Sequence, residues 1–390
     1  MFNAVNSSSS DSFDVVWDLG RRCTYACTYC GPHHSNKTSP NTSLEVLIHT
    51  LDGIVEYAAL YNEHRKKKKT TTLAFTGGEP TINPNFFAFI TYCNEKYPEV
   101  RTNITTNGCY TPKKCKLIID NVDSCTVSYH AEATPVEKQL VKNNIIAMVA
   151  ADYNFRVNLM FHKDYFDECV ELAAWFDELK IIYTPRVIGD SNNASDVLDG
   201  SAHIYSEEQL QWFKDFWNRG KEQVNKKAKS CEMASGNIGR PCCAGRKLDL
   251  QVGDDWTQGT FVPSNNFNGW NCMINWEFLF INSELDGVWH HQTCQVNLDG
   301  QIGPIGKASR FDLINDEIRK TFNSGKIQLI KCPKSYCGCG LCAPKARMEN
   351  TALEIFNTQT HGLTPIFQDE TQVEDKSYSI IRMLKKGITL

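Results

Sequence analysis

Between Phe13 and Pro185, short apolar runs alternate with longer stretches in which apolar residues recur every three or four positions. The short runs Val15–Leu19, Leu73–Thr76, Thr102–Thr105, Ser124–Tyr129, Arg156–Phe161 and Ile181–Thr184 read as strands. The segments between them, Leu44–Tyr61, Phe86–Lys96, Pro112–Asp120, Glu137–Ala150 and Tyr165–Leu179, carry helical spacing. Six strands separated by helices predict an α/β fold with a parallel sheet, open or curled into a partial barrel. The run Lys66–Lys69 falls between a helix and a strand and reads as a solvated loop.

The pattern then changes. Ser191–Ala202 is polar and rich in Gly, Asn and Ser, and one more amphipathic helix is expected around Glu207–Trp217. From Lys221 to Ala343 the chain is rich in Gly, Asn and Cys. Hairpin strands are expected at Phe278–Ile281 and Val296–Ile302, with turns at Asp286–Gly287 and Asp299–Gly300. A domain boundary is therefore placed near residue 220. Residues 1–12 are expected to be a disordered start, 13–220 the βα array, 221–345 a Cys-rich domain, and 346–390 a polar tail with one helix at Ser377–Lys386.

Composition narrows the function classes. The 390 residues carry 41 Lys+Arg against 45 Asp+Glu, a formal net charge of −4, which argues against coating nucleic acid or an anionic membrane. No stretch approaches the roughly 20 apolar residues that span a bilayer, and the start MFNAVNSSSSDSF has neither a basic nor an apolar signal region. A soluble, cytoplasmic protein is expected. Its 17 cysteines fall short of the roughly 8–10% of a disulfide scaffold, and without a secretory signal clustered cysteines point to metal. Five of them, Cys93, Cys109, Cys115, Cys125 and Cys169, stand singly and read as small buried hydrophobes.

The chemistry concentrates in a few motifs. Cys23-x-x-x-Cys27-x-x-Cys30 directly follows the first strand; three thiolates on one short loop wrap three corners of an iron–sulfur cubane and leave one iron open. Structural zinc competes, with His33 and His34 available to complete a set of four. The second strand ends in Thr76-Gly77-Gly78-Glu79-Pro80, where glycines allow close approach of a ligand, backbone amides suit a carboxylate, and Glu79 suits an ammonium group. Thr105-Thr106-Asn107-Gly108 and Ser128-Tyr129-His130 follow at the third and fourth strand ends, so polar residues converge on the carboxyl edge where α/β folds place their sites.

These motifs, in this order, resemble the radical S-adenosylmethionine (SAM) superfamily. The three-Cys loop with Tyr29 before its last cysteine, Gly77-Gly78-Glu79-Pro80 and Thr106-Asn107-Gly108 carry the resemblance over about residues 13–190. It implies a partial (β/α)6 TIM-like barrel with a [4Fe–4S] cluster on Cys23, Cys27 and Cys30. SAM would chelate the open iron, with Gly77, Gly78 and Glu79 around its ammonium and Asn107 nearby. Ser128 and Asn158 match positions facing the SAM ribose or carboxylate, and Arg186 would pair with that carboxylate or with substrate. The implied reaction is reductive cleavage of SAM to a 5′-deoxyadenosyl radical that takes hydrogen from a substrate C–H bond.

A second cysteine group, Cys332, Cys337, Cys339 and Cys342, lies downstream of Cys272 and Cys294, which flank a hairpin. This resembles the auxiliary-cluster module called twitch, or the larger SPASM domain, although the run 332–342 departs from regular SPASM spacing. One auxiliary [4Fe–4S] cluster drawn from those six cysteines is expected; zinc in the 332–342 knuckle is the alternative. The module implies oxidation or bond formation on a peptide or protein, with flavodoxin or ferredoxin as electron donor. Dehydrogenation of a small polar molecule of sugar or aminocyclitol type is the competing enzyme reading, and a non-catalytic, zinc-stabilised binding module the competing class. Cys23 stands 22 residues from the start, which leaves no room ahead of it for a leader-peptide-binding domain and weighs against leader-guided modification.

Overall fold

The short apolar runs form strands in which buried residues alternate with part-exposed ones, so each strand offers an apolar face to covering helices. The computed structural model describes residues 4–5, 11–30, 36–188, 205–216, 268–291, 294–333 and 343–367. In chain order come β1 (Ala4–Val5), β2 (Ser12–Asp18), α1 (Leu44–Glu63), β3 (Thr70–Thr76), α2 (Phe86–Lys96) and β4 (Arg101–Thr106). Then follow α3 (Pro112–Asn121), β5 (Ser124–His130), α4 (Pro135–Ala150), β6 (Phe155–Phe161), α5 (Phe166–Glu178) and β7 (Tyr183–Val187). Strands β2 to β7 pair in parallel and in chain order, the expected partial (β/α)6 barrel.

Local chemistry explains where the helices begin. Ser43, Thr111 and Thr134 cap α1, α3 and α4 with their side-chain oxygens. Pro112 and Pro135 occupy first-turn positions where no N–H is needed, and Thr134 with Glu137 forms a reciprocal capping box. The last strand begins two residues later than expected: Lys180 turns the chain at φ +57° and the Ile181 amide closes back on Phe176 O.

A helix over 207–216 (α6) is followed by β8 (Asn271–Cys272), α7 (Ile274–Glu277), β9 (Phe278–Asn282), β10 (Gly287–Trp289), β11 (Gly306–Lys307) and α8 (Phe311–Asn323). The described chain closes with β12 (Lys326–Gln328), β13 (Ile330–Lys331), β14 (Lys345–Ala346), α9 (Glu349–Gln359) and β15 (Thr364–Ile366). The expected hairpins exist: β9 and β10 pair around Asp286 at φ +49°, and Val296 bridges Ile302 across Gly300. More unexpectedly, β9 runs parallel to β2, giving one nine-stranded sheet in the order β11-β10-β9-β2-β3-β4-β5-β6-β7. Strands from both sides of the boundary expected near 220 thus share one sheet. α8 packs on α1 where Gly53 leaves room for the Phe311 side chain; a Cβ there would sit 2.5 Å from its Cβ and 2.6 Å from the ring Cγ.

Three further expectations change. Ala4–Val5, in the stretch expected to be disordered, pairs antiparallel with β14, since a sheet edge recruits backbone regardless of side-chain polarity. The polar tail contains α9, whose Ala352, Ile355 and Phe356 are buried, whereas Ser377–Lys386 lies outside the described residues. The lysine run is not uniformly solvated. Lys66 bonds the Asn357 carbonyl, Lys67 reaches Asp11 at 2.6 Å, and Lys69 is buried against Glu277, which also faces Arg65 at 3.7 Å. Among the described residues no helix is long and apolar enough to cross a membrane.

Candidate active site

The loop leaving β2 carries Cys23, Cys27 and Cys30, all part-exposed and none in a disulfide. The thiols lie within electrostatic reach of one another, and burial is the main cause that pushes the Cys23 thiol up and the Cys27 thiol up to about 12. Among the described residues, no three His, Cys, Asp or Glu side chains are gathered as a single metal ion would need. A cubane makes no such demand, because its cysteines sit on separate irons. The three thiols are the ones that corners of a cluster would take, and its charge would hold them as thiolates. His33 and His34, the histidines of the zinc alternative, lie outside the described residues.

The paired glycines have a purpose that was not expected. The amides of Gly78 and Glu79 donate to the carbonyls of Gly20 and Arg22 at 2.8 and 2.7 Å, so they are spent on the cysteine loop and do not await a carboxylate. A Cβ on Gly78 would lie 2.2 Å from Arg22 O, and one on Gly77, at φ +125°, 2.5 Å from Gly20 O. Only glycines let the β3 end and the loop lie this close.

Glu79 is 2% exposed, and its partners among the described residues are all neutral. Oε1 accepts from the Thr81 amide, the Thr81 hydroxyl and the Thr106 hydroxyl at 3.1, 2.6 and 2.8 Å; Oε2 accepts only from the Asn107 amide at 2.7 Å. Burial pushes its carboxyl pKa up despite these bonds. The carboxylate ties the end of β3 to that of β4, and Oε2 keeps room for one more donor. Asn107 closes the circuit. Its amide nitrogen donates to Thr24 Oγ1 at 2.8 Å and lies 3.8 Å from Cys23 Sγ, while Cys109 N donates to its carbonyl at 2.9 Å.

On the part-exposed face of the sheet, Ser128, Asn158 and Thr184 are register partners across β5, β6 and β7. Arg186 Nε donates to Asn158 Oδ1 at 3.0 Å, so the predicted Ser128, Asn158 and Arg186 do lie together. Two residues beyond Ser128 on the same face, His130 meets the cysteine loop: its Nδ1 lies 2.5 Å from Tyr29 Oη and 3.3 Å from Cys27 Sγ. Burial pushes the His130 pKa down to about 4. Glu132 accepts from the Thr28 amide and hydroxyl at 3.0 and 2.6 Å. Glu284, on the β9–β10 turn, pairs with Arg21 and accepts from Ser39 Oγ at 3.2 Å. Sequence reasoning set Ser128-Tyr129-His130 at a strand end on the site edge but gave His130 no role, and it placed none of Glu132, Arg21 or Glu284 in the site.

Of the second cysteine group, Cys272, Cys294 and Cys332 share one buried cluster with Trp270, Ile274 and Phe278. Cys272 is the register partner of both Ile330 and Lys345, and the Cys332 amide donates to Trp270 O at 2.9 Å. Cys337, Cys339 and Cys342 lie outside the described residues. Of the single cysteines, Cys93, Cys115, Cys125 and Cys169 are buried as expected, but Cys109 is part-exposed at the sheet edge.

Comparisons with known proteins bear on this geometry. Residues 17–154 match the model of the Radical SAM superfamily, and this segment is a radical SAM domain. None of the curated proteins matches the chain. Among solved structures, "Native anSMEcpe with bound AdoMet and Cp18Cys peptide" is 15% identical, covering 50% of this chain and 63% of that one, with a TM-score of 0.35. The chain thus spans 63% of that structure's length. SuiB of Streptococcus suis is 13% identical over 80% of this chain and 68% of its own, with a TM-score of 0.45.

Proposed function

We propose that the chain is a radical SAM enzyme, with Cys23, Cys27 and Cys30 holding a [4Fe–4S] cluster and Gly77, Gly78, Glu79, Asn107, Ser128, Asn158 and Arg186 surrounding SAM. The observation that carries this reading is Glu79, a buried carboxylate beside the cysteine loop that, among the described residues, has only neutral partners and one vacant acceptor position. A cationic ammonium placed there gains a charge-assisted bond of the stronger kind. The cluster and SAM together supply reductive cleavage and hydrogen abstraction from a substrate C–H bond.

The chain's own residues do the positioning. Gly77 and Gly78 let the cysteine loop dock, Asn107 and Glu132 hold it from two strands, and Glu284 braces it from the hairpin. Asn158 orients Arg186 over the part-exposed face, where a carboxylate would meet the guanidinium. Cys272, Cys294 and Cys332, together with Cys337, Cys339 and Cys342, are proposed to hold one auxiliary [4Fe–4S] cluster, consistent with an oxidation or bond formation. A peptide or protein substrate and a flavodoxin or ferredoxin donor follow from the resemblance to auxiliary-cluster enzymes.

The test is anaerobic reconstitution of the wild type and a Cys23/Cys27/Cys30→Ala variant, assayed for iron and for 5′-deoxyadenosine formed from SAM with dithionite. The wild type should cleave SAM. The variant should not, yet should keep about four irons in the auxiliary site. A wild type that binds zinc and leaves SAM intact overturns the proposal. Competition by peptides against small polyols then decides the substrate class.

A further inference from the structure

We infer that His130 and Tyr29 form a hydrogen-bonding clamp on the sulfur of Cys27 that sets the reduction potential of the proposed cluster. This inference rests on the reading of Cys27 as a cluster ligand. His130 Nδ1 lies 3.3 Å from Cys27 Sγ and 2.5 Å from Tyr29 Oη, so a hydroxyl, a ring nitrogen and a sulfur meet at one point. The rings are set for it. Tyr29 stacks on the imidazole at 5.9 Å with an interplanar angle of 10°, and Tyr25 packs edge-on at 5.4 Å and 78°. The imidazole is held from both sides and has little freedom to turn away.

A thiolate ligand only accepts hydrogen bonds, so the bridging hydrogen must come from the histidine N–H or the tyrosine O–H. Either donor places positive hydrogen density on a ligand sulfur. Reducing the cluster adds negative charge, so such a bond strengthens on reduction and raises the potential. The other cysteines are held differently. Cys23 takes its donors from the Asn107 amide at 3.8 Å and the Tyr25 backbone, and the Cys30 amide donates to Cys27 O at 3.1 Å. His130 and Tyr29 are therefore positioning residues acting through Cys27, at a point where the sheet and the loop touch.

The experiment is an EPR-monitored redox titration of reconstituted wild type, Tyr29→Phe, His130→Phe and His130→Gln, with iron measured in each. The same titration of the Cys23/Cys27/Cys30→Ala variant gives the auxiliary cluster's signal, which is subtracted so that one cluster is read. Both Phe variants keep the stacked ring but remove a polar atom, and their midpoint potentials should shift to more negative values. His130→Gln restores an N–H and should return the potential towards wild type. Tyr25→Phe, which removes a hydroxyl that faces the Cys109 thiol, should leave it unmoved. Unchanged potentials in both Phe variants at full iron content overturn the inference. If the Phe variants lose iron, retention by His130→Gln supports the clamp, and loss in all three overturns it. A wild type with no [4Fe–4S] signal defeats the underlying cluster reading instead.

Discussion

Two carboxylates, Glu79 and Glu277, are buried to 2% and 3% exposure at opposite edges of the same sheet. Glu277 precedes β9 at the amino edge, where Lys69 bonds it and Arg65 faces it while lying over the Trp276 ring at 5.1 Å. Glu79 follows β3 at the carboxyl edge and has only neutral donors among the described residues. Cations answer one charge inside the chain; the other is hydrogen-bonded but not neutralised. A buried acid matched by its own lysine and arginine serves the fold. One left with neutral donors, beside a loop of thiols, is the acid that the proposed ammonium would answer.

The most drastic way to break this contrast is Gly78→Ala. Its Cβ would lie 2.2 Å from Arg22 O and 2.5 Å from Arg21 O, so the cysteine loop cannot dock. Iron in the first site and SAM cleavage should both be lost, while the denaturation midpoint stays close to wild type because the Glu277 edge is untouched. Full iron loading would refute this.

Exchanging each acid for its amide sharpens the comparison. Glu277→Gln leaves two buried cations without their anion and should cost about 3–5 kcal/mol in urea unfolding, with the folded fraction still cleaving SAM. Glu79→Gln should cost less stability, about 1–3 kcal/mol for donors left facing an amide nitrogen. Its larger effect should be on SAM. Losing a charge-assisted bond of about 1.5–3 kcal/mol weakens binding roughly 10- to 150-fold. Equal losses of stability in the two variants would erase the distinction.

The smallest effect at neutral pH belongs to a buried group that neither kind of partner answers among the described residues. His290, at the end of β10, has no hydrogen-bond partner for either ring nitrogen among the described residues, and burial pushes its pKa down to about 3. The unfolded chain takes up that proton near pH 6.5, but the native protein does so only near pH 3. Its contribution is therefore intact above pH 6.5 and falls by about 1.4 kcal/mol per pH unit below it. His290→Phe should flatten that slope in acid unfolding curves.

Much of this was legible in the sequence, and the exceptions have physical reasons. Phe86–Lys96 matched α2 at both ends because its apolar spacing is regular and its flanks are turn-forming. Pro185 made β7 hard to read, but β7 is the last strand of its sheet, an edge that tolerates a missing N–H. α9 was invisible because its buried side presents only Ala352, Ile355 and Phe356 within a polar segment. In the site, the cysteines and Gly77–Glu79 were recognisable as motifs. The real reason for the glycines, the approach of Arg21 and Arg22, was not, since that contact joins segments more than fifty residues apart. Glu277 passed unnoticed inside the apolar run Ile274–Ile281, where no local pattern announces that Arg65 and Lys69 will meet it.

The brace between Arg21 and Glu284 has a consequence for how the site is made. The two residues are 263 positions apart, and Trp17 Nε1 bonds Ser283 Oγ at 2.9 Å across 266. At about 5–20 residues per second, a ribosome delivers the cysteine loop roughly 13–50 s before the turn that braces it. During that interval β2 has β3 on one side and a vacant edge where β9 will join. The cysteine loop is thus made long before this wall, and the hairpin arrives as the closing piece that completes the sheet beside it.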